Sequence, residues 1–168
     1  YARLQLTLGK GSQMDVHYAT SADAPSAEQL RDVVDDSNPL RLSGGNPDLR
    51  TSLSHRAFLR YRTADPAAGT SLSFSVNASA ASDVIIPATF TAGSDSVRVR
   101  DVVLPPGAQF TYPVNAGSAW SAFAFATYGR PVAPLKSNLN TTVNVSYRNA
   151  PTLFDGLADL SRSLQGGA

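Results

Sequence analysis

Leucine occupies every second position from Leu4 to Leu8, with Gln5 and Thr7 between. After the turn-like Gly9-Lys10-Gly11-Ser12, Met14, Val16 and Tyr18 repeat that spacing. Over residues 53–62, Leu53, His55, Ala57, Leu59 and Tyr61 share one parity, and Arg56, Phe58, Arg60 and Arg62 share the other. A period of two is the mark of a β-strand, because successive side chains leave the pleat on opposite faces. Asp65-Pro66-Ala67-Ala68-Gly69 predicts a turn, and Leu72, Phe74 and Val76 the following strand. Residues 84–91 predict another strand, which Pro87 places at an edge or a bulge.

Residues 94–148 hold four runs rich in β-branched and aromatic residues, separated by Pro, Gly, Asn and Ser. This is the pattern of consecutive antiparallel strands. The run 119–128 is the most apolar. Phe123 and Phe125 share a face with Ala119, while Trp120, Ala122, Ala124 and Ala126 take the other. A strand apolar on both faces is expected at the centre of a sheet and covered on both sides. Phe123 and Phe125 are therefore expected in the main core, and Trp120 under a helix or at a subunit contact.

Two segments depart from the period of two. In residues 26–36, Ser26 and Gln29 have the spacing of a capping box, and Leu30, Val33 and Val34 form a stripe. In residues 152–164, Thr152 is a capping residue, and Leu153, Leu157, Leu160 and Leu164 follow helical spacing. Both predict helices. Roughly nine or ten short strands with turns between them predict a two-sheet sandwich. The expectation is one all-β domain over 1–168. It is a two-sheet antiparallel β-sandwich, Ig-like or jelly-roll, with one short internal helix and a C-terminal helix. Such sandwiches are similar at fold level to bacterial surface domains, pilins and small viral coat proteins, a likeness that assigns no function.

Composition supports a chain poor in helix. Lys10 and Lys136 are the only lysines, and Glu28 stands alone against twelve aspartates. Glu and Lys favour exposed helices, whereas Asp favours turns and caps. The net charge of +1 gives no bulk attraction to nucleic acid. Cysteine is absent, which excludes disulfides, thiolate nucleophiles and Cys-based metal sites. No apolar run reaches the length of a membrane-spanning helix, so no membrane span is expected. The start at Tyr1 is read as a cut chain or a removed leader.

No catalytic motif stands out, so the chain is expected to be non-enzymatic. His17 and His55 lack the neighbours of a zinc site, and no phosphate-binding glycine loop occurs. Asp32, Asp35, Asp36 and Asp48 cluster, but without EF-hand spacing. An Asp-based hydrolase would need two close carboxylates, and none are marked. No cofactor or metal is expected. Three sequons, at Asn77, Asn140 and Asn144, are weak signals in a chain rich in Ser and Thr.

Three sets of residues carry expectations about binding. Leu4, Leu6 and Leu8 form a strand that could complete a sheet, its own or a neighbour's. Trp120 with Leu157, Leu160 and Leu164 is an expected interface. Arg56, Arg60 and Arg62, with Arg98 and Arg100 if their strands are neighbours, would form an anion patch. The leading functional expectation is a self-assembling structural subunit, a homo-oligomer, on an extracellular surface, filament or virion. The alternative is a carbohydrate- or ligand-binding β-sandwich module, with a glycan as the expected partner and Tyr112, Trp120 and Tyr128 as the candidate aromatics.

Overall fold

The computed structural model describes residues 1–9 and 11–168. Lys10, in the first expected turn, lies outside the described residues. The strands are β1 (Ala2–Gly9), β2 (Ser12–Asp23), β3 (Val34–Asp35), β4 (Arg41–Gly44), β5 (Ser52–Asp65), β6 (Thr70–Thr91), β7 (Val97–Val99), β8 (Val102–Leu104), β9 (Gln109–Val132), β10 (Ser137–Phe154) and β11 (Leu157–Gly167). A 3₁₀ turn at Ala133–Leu135 is the only helical element among the described residues.

The all-β expectation holds, but the sandwich does not. Seven long strands run as one antiparallel meander in the order β1-β2-β5-β6-β9-β10-β11. β3 and β4 extend the same sheet, with β4 lying parallel to the start of β9, and β7 and β8 form a separate two-stranded ribbon. The runs read as separate short strands join into β6 and β9, of 22 and 24 residues. One continuous sheet replaces two stacked ones because every long strand pairs with its sequence neighbours over most of its length.

The two ends of the meander differ. At one end the connections are short: Gly9 to Ser12, Asp65 to Thr70, and Val132 to Ser137. At the other end lie the segment between β2 and β5 and the elongated tips of β6 and β9. The core of the protein sits at this second end. Ala92, Val99, Leu104, Ala108 and Phe110 are buried together, with Leu42, Phe90, Val102 and Tyr112 packed against them. Asn115 ties the segment before β5 to this end, accepting from the Arg50 N–H at 2.7 Å and donating to the Arg50 and Asp83 carbonyls.

Pro87 faces Pro113 across the β6–β9 ladder. Thr89, two residues on, turns its carbonyl away from β9 to accept from the Asp155 N–H at 3.0 Å. Pro87 therefore sits where its missing N–H would also point out of the pair. That matches the edge position expected for it, since β5 pairs with β6 only as far as Ser82.

Neither expected helix forms. Residues 26–36 make the capping box, with the Ser26 N–H donating to Gln29 Oε1 and the Gln29 N–H donating to Ser26 Oγ. The segment then turns and passes into β3 instead of propagating a helix. A capping box satisfies only the first turn, and a stripe of three residues buries too little to extend it. Residues 152–164 fold as the β10–β11 hairpin, with Phe154 opposite Leu157. Asp155 (φ 48) and Gly156 (φ 75) form its turn. Two consecutive left-handed residues are what a type I′ hairpin requires, and Asp-Gly is a preferred pair for it. Leu157, Leu160 and Leu164 thus belong to a strand, all exposed, and no terminal helix covers Trp120.

Phe123 and Phe125 also lie outside the main core. They sit on the face of β9 turned to the interior of the curled sheet, and Phe123 is 40% exposed. Phe110 is 2% exposed and takes the central position instead. Phe110→Ala should cost about 3–5 kcal/mol. Phe123→Ala should cost less than half of that. Denaturant titration of the two variants beside the parent chain measures both.

Candidate functional site: the polar inner face of the sheet

Residues opposite one another in a sheet share a face, so the register assigns every side chain of the meander to one of two surfaces. The first surface carries a row of Leu4, Val16, Leu59, Val76, Ala124 and Val145. The row on one side of it is Leu6, Met14, Tyr61, Phe74, Ala126 and Val143. The row on the other side is Ala2, Tyr18, Ala57, Ala78, Ala122, Tyr147 and Leu164. No charged residue occurs in these three rows. Leu4, Tyr18, Phe74, Val143, Val145 and Leu164 are all exposed. This is an uncovered apolar surface, wider than a soluble monomer ordinarily shows.

Aromatic side chains mark the margins of this surface. Tyr128 lies one row beyond Phe74 and Ala126, and Trp120 one row beyond Ala122 and Tyr147. Trp120, 44% exposed, stacks on Tyr147 at 4.5 Å between ring centroids. The Tyr18 hydroxyl lies 2.7 Å from His55 Nδ1. His55 thus sits at this margin, while His17 lies on the opposite face, edge-on to Phe58.

The second surface is the reverse of the first. One row reads Gln5, Asp15, Arg60, Ser75, Phe125 and Asn144; the next reads Arg3, His17, Phe58, Asn77, Phe123, Ser146 and Gln165. A third reads Ala19, Arg56, Ser79, Ser121, Arg148 and Ser163. The sheet curls around this surface. A cavity of about 800 Å³ is lined from His17 on β2 across to Gln165 on β11, and further cavities of about 350 and 490 Å³ lie on the same face. Asp15 at 7% and Ser75 at 1% exposure are among the most buried residues of the meander, and both face inward. Every charged residue of these six rows lies on the inside, together with Phe58, Phe123 and Phe125, and the outside is apolar.

Within this interior Arg62 donates to Gln13 Oε1 at 3.2 Å and approaches Asp15 Oδ2 at 3.8 Å. Asp15 is the direct cross-strand neighbour of Arg60. Ser79 and Ser121 share a hydrogen bond of 2.9 Å, and Thr127 and Thr142 one of 3.1 Å. Arg56, Arg60 and Arg62 therefore share a surface, as their parity predicts. Arg148, which carries no alternation signal of its own, joins them only because β9 and β10 pair in this register. Arg98 and Arg100 are elsewhere. Arg98 is in the β7–β8 ribbon, and Arg100 donates to the Gly45 carbonyl at 3.0 Å and lies over the Tyr112 ring.

Leu4 and Leu6 pair with Val16 and Met14 of the same chain, so β1 completes its own sheet, and Leu8 lies exposed near the turn. No group of acidic, His or Cys residues suited to a metal occurs among the described residues. At the end of β3, the Ser37 N–H donates to Asp35 Oδ1 at 3.0 Å, and with the Ser37 hydroxyl it holds that carboxyl below its ordinary pKa.

Asp15→Ala leaves Arg60 and Arg62, side by side on β5, in the interior without their neighbouring carboxylate. The expected cost is about 1–3 kcal/mol, recovered in part by Asp15→Asn, and read by denaturant titration.

A profile of the outer membrane protein β-barrel family matches residues 1–164. No curated protein matches the chain. The match overturns the expectation of a self-assembling filament or virion subunit and of a ligand-binding sandwich module, and it does not bear on the expected homo-oligomer. It also corrects the reading that nothing here spans a membrane. No helix among the described residues is long and apolar enough to cross, but a barrel crosses with strands. Such strands need only about 9–11 alternating residues each, which a search for long apolar runs does not register.

Proposed function

The chain belongs to the outer membrane protein β-barrel family and is placed by it at the bacterial cell surface; from this premise we propose that the seven-stranded meander forms barrel wall in that membrane. Its apolar surface faces lipid and its polar surface faces a water-filled interior. The distribution of polarity carries this reading: every charged residue of the central rows lies on the inner face. In water this arrangement would be costly, since it exposes leucine and valine. In hydrocarbon it is favourable, and an outward apolar band with a polar lumen is the common plan of such barrels.

The dimensions fit. From Trp120 to Tyr128 the strand rises about 27 Å at about 3.4 Å per residue. With a tilt of about 40°, that is about 21 Å of height, near the apolar band of about 25 Å flanked by aromatic girdles. The short turns at Gly9–Ser12, Asp65–Thr70 and Val132–Ser137 take the periplasmic side in this reading. The longer segments, with the Phe110 core, take the outer side. β1 and β11 point in the same direction, so a wholly antiparallel wall needs an odd number of further strands between their edges. The role is non-enzymatic: the wall separates lipid from an aqueous interior.

Substitution on the two faces tests the reading. Val145→Arg, in the central apolar row, should cost about 2–4 kcal/mol of folding in lipid bilayers. Asn144→Arg, one residue away and facing inward, should be near neutral. Urea-dependent folding into vesicles measures both, and equal costs would sink the assignment of faces. The absence of cysteine adds a second measurement, in which Val145→Cys reacts with a lipid-phase thiol probe and Asn144→Cys with a water-soluble one.

A further inference from the structure

We propose that Arg56 and Arg148 form a binding site for a small soluble oxyanion, one bearing phosphate, sulfate or carboxylate, in the interior of the sheet. The proposal rests on reading this face as water-filled. The two arginines stand on one row, Arg56 on β5 and Arg148 on β10, with Ser79 and Ser121 between them. Three strand spacings of about 4.8 Å would put their backbones about 14 Å apart on a flat sheet. Curling brings them nearer, and both line the same cavities, of about 800 and about 350 Å³.

Charge distinguishes this pair from the other inner arginines. Arg60 stands opposite Asp15 and Arg62 lies 3.8 Å from it, so one carboxylate partly offsets the two. Arg56 and Arg148 have no ion pair among the described residues. Their row contains no carboxylate, and neither does the row on either side: Arg3, His17, Phe58, Asn77, Phe123, Ser146 and Gln165 on one side, and Ser21, Ser54, Ala81 and Ala119 on the other. Arg3 adds a further positive charge. Two guanidinium groups on one row of the same cavities supply the planar donor forks that oxyanions accept, and the hydrogen-bonded Ser79–Ser121 pair between them leaves one hydroxyl proton free to donate. Phe58 and Phe123, in the neighbouring row, line the same cavity.

The test is calorimetric titration of the detergent-folded full chain with inorganic pyrophosphate at low and high salt. Saturable binding that weakens with salt is expected. Arg56→Gln/Arg148→Gln should lose about tenfold or more in affinity, since each guanidinium contributes at least one charge-assisted hydrogen bond. Arg56→Lys/Arg148→Lys, which keeps the charge, should retain part of the binding, and Arg98→Gln should change nothing. Both inner arginines are exposed, so the variants should fold like the parent. No saturable binding by the folded parent chain, or equal binding by the double Gln variant, overturns the site. The barrel reading is scored separately, by lipid-phase labelling of Val145→Cys. Labelling without pyrophosphate binding removes the site and leaves the wall; binding without labelling does the reverse.

Discussion

The constraint on which this structure depends is the pairing of main-chain N–H and C=O groups. Inside hydrocarbon no water is present to satisfy them, and each unpaired group costs several kcal/mol. A sheet whose strands pair along their length meets that demand with the backbone alone. Side chains are then free to serve two solvents, one on each face. This accounts for β6, which is paired to β5 on one edge and to β9 on the other through its apolar stretch. It loses its β5 neighbour only beyond Ser82, past the aromatic margin.

Beyond that margin the chain returns to the organisation of a soluble protein. Phe110, Leu104 and Val99 are buried against one another, and charged residues such as Asp83 and Arg50 pair at the surface. The buried residues of the membrane-crossing rows, by contrast, are Asp15 and Ser75. One chain thus contains two packing regimes with opposite polarity, separated along the long β6–β9 ladder. Pro87 and Pro113, harmless in a two-stranded ribbon, would each deny a neighbouring strand a hydrogen bond if they stood within the wall.

Much of the inner face was legible in the residues. The parity of Arg56, Arg60 and Arg62 against Leu59 and Tyr61 is the two-faced pattern itself. The same holds for Leu4, Leu6, Val16 and Tyr18. The Phe123 and Trp120 faces were also separated correctly. What misled was the assumption that an apolar face must be covered by protein. It turned Trp120 toward a helix that does not form and placed Phe123 in a core it does not share. The Asp155-Gly156 pair was a readable hairpin signal, but the chance helical spacing of Leu153, Leu157, Leu160 and Leu164 competed with it. Four leucines at that spacing suit a helix; with a left-handed pair after Phe154, they suit two strands.

Strand character, the turn at Asp65–Thr70, and the side chains that share a face along each strand all follow from the residues alone. These are local properties, set by the pleat and by turn stereochemistry, and they need no knowledge of neighbours. The rest came from the assembled sheet. It joined the short runs into β6 and β9, aligned the apolar parities of seven strands on one surface, and set Arg148 opposite Ser121 in the row of Arg56. A single strand with an alternating pattern is the same whether its apolar face meets protein, lipid or a second sheet. Register and curvature narrow the choice, because only together do they put the charged residues on the concave face and the apolar rows on the other.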